Sequence, residues 1–115
     1  MKHTFALKQN HEFRRLYNKG KNAVSPYFAI YCRKTGREGS RLGITTGVKL
    51  GNAVKRNFVR RRIRELYRTN EQKFLPGYDI VVVARVKAID APFAALQRSY
   101  LSAAKAAGLL LEDAK

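Results

Sequence analysis

The chain has 115 residues, 45% of them apolar, and a formal charge of +16 from 24 lysines and arginines against 8 acids, with a pI near 10.6. That is enough for one modest core and a single domain spanning 1–115, and like charge at this density opposes folding unless a polyanion meets it. A membrane is the weaker fit: no apolar run nears bilayer length, no lipidation site is evident, and the basic amino terminus lacks a signal peptide's apolar stretch. A cytoplasmic protein is expected, and the single cysteine, Cys32, suits a reducing compartment.

Asn10 stands at the cap of a short helix in which Phe13, Leu16 and Tyr17 share a face, and Gly20 stands where it ends. Val24 to Arg33 reads as a strand with Pro26 near its start. Phe28, Ile30 and Cys32 lie on its core face, and Tyr27, Ala29, Tyr31 and Arg33 on the other. Lys34 to Ser40 is a polar loop of hairpin character, and Leu42, Ile44, Thr46 and Val48 alternate through a second strand. Asn52 is placed to cap a helix that frays near Asn70, and Phe74 to Gly77 turns the chain.

Tyr78 to Ala84 contains Ile-Val-Val-Val without alternation, the pattern of an interior strand covered on both faces. Asp90 and Pro92 open a last helix with Phe93, Leu96, Tyr100, Leu101 and Ala104 at amphipathic spacing. Leu109 to Leu111 read equally well as a docked extension or a sticky tail. The expected fold is α+β, a small two-layer sandwich in the order helix, strand, strand, helix, strand, helix, with one strand open to a split.

The segment from Gly51 to Arg68 is the most informative. Val59, Ile63, Leu66 and Tyr67 share one helical face, while Asn57, Arg60, Arg61, Arg64 and Arg68 form a second, with Lys55 and Arg62 on a flank. A merely solvated helix mixes signs, whereas this one has a single acid, Glu65. Arginine's planar fork suits phosphate, so the ladder points to nucleic acid.

No self-sufficient catalyst is evident. His3 and His11 have no partner at metal-ligand spacing, and the acids are scattered singly. Tyr31 and Arg33 on a sheet surface, with Phe13 and Tyr17 one turn apart on the first helix, instead suit single-stranded nucleic acid, whose bases stack and whose phosphates pair.

Gly51-Asn52-Ala53-Val54-Lys55-Arg56-Asn57, followed by Arg60-Arg61-Arg62-Ile63-Arg64-Glu65, closely resembles the signature of the bacterial ribonuclease P protein subunit. Arg41 to Ile44, Asp79 to Arg85, and Glu12-Phe13 with Tyr17 and Gly20 resemble that family as well, so the likeness covers nearly the whole chain. It implies a left-handed strand–helix–strand crossover through the arginine helix, against the usual handedness. It implies a subunit of the endoribonuclease that removes 5′ leaders from precursor tRNA, with cleavage carried out by a catalytic RNA using Mg²⁺ and no metal held tightly by the protein. A monomeric protein in a one-to-one complex with that RNA follows from the same resemblance.

The resemblance implies RNA-binding residues at Lys49, Arg56, Asn57, Arg60, Arg61 and Arg64 and leader-cleft aromatics at Phe13, Tyr17 and Tyr31. The residue pattern itself adds Asn52, Lys55, Arg62 and Arg68 to the expected RNA-binding surface and Arg33 to the expected cleft. Two departures stand out. Val48-Lys49 replaces a lysine pair, and Phe58 stands where a basic residue often follows the motif asparagine, a loss for which Arg62 and Lys55 are placed to compensate. A ribosomal RNA binder and an RNA-independent nuclease are the rival readings.

Overall fold

The computed structural model describes residues 4–7, 10–36 and 39–110. His3, Leu111 and part of the Lys34–Ser40 loop, all named above, lie outside them. Five strands form one sheet in the order β1-β4-β5-β3-β2: β1 is Thr4–Ala6, β2 Lys21–Val24, β3 Phe28–Lys34, β4 Ser40–Thr45 and β5 Tyr78–Ala84. The helices are α1 (Asn10–Lys19), α2 (Ala53–Asn70) and α3 (Phe93–Ala106). β4 and β5 are parallel neighbours joined through α2, β1 is parallel to β4, and β3 is antiparallel to both β5 and β2.

The α+β expectation holds, and the layering is specific. Phe28, Ile30 and Cys32 of β3, Leu42 of β4, and Ile80 and Val82 of β5 face the main core. There they meet Val59, Ile63, Leu66 and Tyr67 of α2 and Leu96 and Tyr100 of α3. The opposite face carries a smaller cluster, in which Val81 packs with Leu7 and with Leu16 of α1, bordered by Phe13, Tyr31 and Val83. β5 is therefore interior in both senses, paired on both edges and covered on both faces, and so its run has no polar alternation. The four α2 residues expected at the core are all buried, and the Asn52 side chain caps the helix by accepting from the Lys55 amide at 3.0 Å.

Several expectations are corrected. The Val24–Arg33 strand is two strands around a turn. Pro26 offers no amide to a ladder, and Ser25 Oγ instead accepts from the amides of Tyr27 and Phe28, each at 3.2 Å. Tyr27 consequently leaves the sheet surface and packs against the main core. β3 and β4 form no hairpin, because β5 lies between them. β4 ends at Thr45, and Val48 sits in a one-turn 3₁₀ helix, 81% exposed. The short strand β1 was not foreseen.

Pro92 occupies the α3 cap position without a side-chain cap, and Asp90 takes no part in it. Of the undecided tail, Leu109 is docked. It is fully buried, its carbonyl accepts from the Leu75 amide at 2.7 Å, and Leu110 bridges to Phe74. Cys32 is the core residue its alternation indicated, and burial pushes its thiol up to about 11.

Gly20 ends α1 where the chain turns back against β3. A Cβ there would lie 2.7 Å from two backbone carbonyl oxygens, those of Cys32 and Leu16, and neither can swing aside. Gly20→Ala is expected to lower unfolding free energy by about 1–3 kcal/mol in urea titration.

Candidate nucleic-acid interface

Strand register lays out the sheet face beneath α1 in rows. Arg41, Asp79 and Arg33 are aligned across β4, β5 and β3; the next row is Gly43, Val81 and Tyr31; the next is Thr45, Val83 and Ala29. α1 crosses these rows and touches each of them. At the first, Arg41 binds Asp79 through two hydrogen bonds, Nε to Oδ1 at 2.9 Å and Nη2 to Oδ2 at 2.6 Å, and pairs also with Glu12 of α1. The bonds to Asp79, then Glu12, hold the Arg41 guanidinium above its ordinary pKa. At the second row the Phe13 ring lies over Gly43, where a Cβ would come within 2.7 Å of it. Tyr17 spans the second and third rows, packing edge-on to Tyr31 with ring centroids 4.9 Å apart while its hydroxyl lies 3.3 Å from Thr45 Oγ1.

Beyond Tyr17 the space between α1, the end of β4 and the start of α2 is an open groove of about 400 Å³. Phe13, Tyr17 and Arg14 line it from α1, Ile44 to Thr46 from β4 and its exit, and Arg60 from α2. Arg60 is oriented, its Nη2 donating to Thr46 Oγ1 at 2.7 Å and its Nη1 to Asn57 Oδ1 at 3.2 Å. The aromatic cleft and the arginine ladder, two separate inferences from sequence, thus meet in one groove. Arg14 is a further member that sequence reasoning missed; its position one turn before Tyr17 was the available signal. Of the expected cleft residues, Tyr31 backs Tyr17 without lining the groove, and Arg33, exposed but two strands from β4 in the Arg41 row, does not line it either.

The ladder is not uniform. The side chains of Arg56, Arg61 and Arg64 make no hydrogen bond or ion pair among the described residues, and Lys49 and Lys55 are exposed at the helix entry. Arg68 is closed on Glu65, donating from Nε to Oε2 at 3.0 Å, and this contact holds the Glu65 carboxyl below the usual range. Arg62 corrects the sequence reading most. Its guanidinium donates to the carbonyls of Ala88 at 3.1 Å, Ile89 at 3.3 Å and Ala91 at 2.5 Å, tying α2 to the loop before α3. It is bound inside the protein where a phosphate contact compensating for Phe58 was expected.

The α+β domain thus sets open guanidiniums beside stacked aromatics, a combination whose chemistry suits a polyanion. The sequence model of the Ribonuclease P family matches residues 1–108. A ribonuclease P protein component from Clostridioides difficile is 44% identical over 84% of this chain and 85% of that relative, and one from Natranaerobius thermophilus is 33% identical over 98% of each. The solved structure of the Staphylococcus aureus RNase P protein matches with a TM-score of 0.83 at 34% identity, covering 93% of this chain and 98% of that one. The Thermotoga maritima RNase P protein matches at 0.77 and 33% identity, over 84% and 92%.

The chain belongs to the ribonuclease P protein family. It is accordingly the protein component of a tRNA-processing ribonucleoprotein, a subunit of an endoribonuclease with an RNA partner. Among the described residues, no helix is long and apolar enough to cross a membrane.

The two kinds of arginine separate experimentally. Arg62→Ala is expected to lower stability by about 1–3 kcal/mol, since three carbonyls lose a charged donor. It should leave the slope of log affinity against log salt for RNA unchanged. Arg61→Ala should leave stability unchanged and reduce that slope by about one.

Proposed function

We propose that this chain binds the catalytic RNA of ribonuclease P through its open arginines and lysines and holds the single-stranded 5′ leader of precursor tRNA in the α1 groove. The observation that carries the reading is the convergence of Tyr17, packed on Tyr31, with an oriented Arg60 in one open groove. Bases of a single strand stack on the aromatic side while phosphates pair with Arg60 and Arg14, a mode that needs no base-specific hydrogen bond. A duplex offers no such free faces, so the groove favours the leader over the folded body of the tRNA.

Leader removal is then assisted by differential binding. No group of three His, Cys, Asp or Glu side chains gathers among the described residues. The two carboxylates the fold does bring together, Glu12 and Asp79, close on Arg41, and Glu65 closes on Arg68. These side chains do not fit a resident Mg²⁺, which in this reading is held by the RNA. The chain's part is to bind, orient and neutralise phosphate, as a monomer in a one-to-one cytoplasmic complex with the catalytic RNA. Such a complex hydrolyses the leader–tRNA bond to give the mature 5′ end.

Binding measured by filter retention or fluorescence anisotropy tests this. Tyr31→Ala should weaken the holoenzyme's affinity for leader-bearing precursor by about 1–3 kcal/mol and leave mature tRNA almost unaffected. Equal losses for the two ligands would show a purely structural residue and remove the leader from the groove. Replacing Arg60 and Arg64 together with alanine should flatten the salt dependence of RNA binding by about two slope units. An unchanged slope would deny phosphate contact at both positions.

A further inference from the structure

A second aromatic pair lies on the other flank of α2. Phe58 and Phe93 are 44% and 37% exposed, and with Arg61, Arg62 and Glu65 they line an open pocket of about 510 Å³. This pocket shares no residue with the α1 groove. We propose that Phe58 and Phe93 form a second base-stacking site that takes an unpaired nucleotide of the catalytic RNA. The proposal rests on the RNA-binding reading above and extends it to a face that reading leaves unused.

One guanidinium organises the site. Arg62 lies 5.1 Å from the Phe58 ring centroid, covering one side of the ring, and three carbonyls of the Ala88–Ala91 segment hold it there. That same segment leads directly into α3, whose first residue is Phe93. Both rings are therefore set before any ligand arrives, which lowers the ordering cost of binding. An exposed phenylalanine on a helix otherwise crowded with cations is a poor solvent residue but a good platform for a flat base, since every base offers a π-face.

The charge around the pocket selects the occupant. Arg61 reaches it with no internal partner, and its only acid, Glu65, is already closed on Arg68. The rim is thus cationic and suits the phosphate that accompanies a base. The residue that replaces a basic side chain of the family signature would, on this account, substitute stacking for charge.

Since the chain contains no tryptophan, Phe58→Trp places its one indole in the site, excited selectively at the red edge where the six tyrosines do not absorb. Titrating this full-length variant with the catalytic RNA should quench its emission as the complex forms, and adding Phe93→Ala should remove most of the quenching. Phe58→Ala should raise the Kd for the catalytic RNA alone by roughly 5- to 150-fold, one stacked base. It should leave the precursor-to-mature affinity ratio unchanged, and Phe58→Tyr should retain the affinity. Unmoved emission together with native RNA affinity of Phe58→Ala would overturn the site. So would loss of self-association in sedimentation at unchanged RNA affinity, which would assign the patch to a second copy of the chain. Failure of the unsubstituted protein to bind the RNA would overturn the RNA-binding reading itself, and this proposal with it.

Discussion

Everything in this molecule is referred to β5. Among the described residues it alone carries a ladder of five or more residues on each side, and its faces separate the two packing clusters. Ile80 and Val82 hold the α2–α3 layer, while Val81 and Val83 seat α1. At its start Asp79 accepts both hydrogen bonds from Arg41, and Arg41 in turn pairs with Glu12. Because that network fixes α1 at one end and the Tyr17–Tyr31 contact fixes it at the other, the groove edge is set by β5 and its neighbours. A half-buried charge cluster of this kind orders the geometry more than it stabilises the fold, since desolvation offsets much of the Coulomb attraction.

The excess positive charge is accommodated by dividing the cations between two uses. Arg41, Arg62 and Arg68 are closed on internal partners, whereas Arg56, Arg61 and Arg64 are left open. Arg60 stands between these groups, fixed by neutral oxygens that orient it without cancelling its charge. Thr46 and Asn57 thereby make a flexible side chain into a directed donor. A carboxylate in either position would have neutralised the charge as well as orienting it.

Much of this was legible in the chain, for reasons that differ by element. The α2 core stripe follows from helical period, the β5 run from the absence of alternation, and the Asn52 cap from local hydrogen bonding; each is encoded within a few residues. What escaped depends on partners remote in sequence. Three residues pairing in parallel with β4 carry no periodic signal, so β1 was invisible. A helical wheel gives the direction of Arg62 but not the loop that arrives there from residues 88–91. Leu109 could not be assigned because its docking is one bridge against Phe74 and Leu75, a purely tertiary event. The groove was half legible: its aromatics and its arginine were separately visible, and only the β4–α2 connection shows that they share a cavity.

The central position of a late strand has a consequence for synthesis on the ribosome. Chain order places β1 to β4 and the whole of α2 ahead of β5, yet β3 and β4 have no pairing with one another. As residues emerge from the amino terminus onward, only the β2–β3 hairpin and the helices have local partners, and the sheet closes once residues 78–84 appear. The most basic helix is therefore complete before the platform it packs against exists. Non-local closure of this sort is intrinsically slow, and during that interval the nascent arginines are exposed to whatever polyanion is nearest.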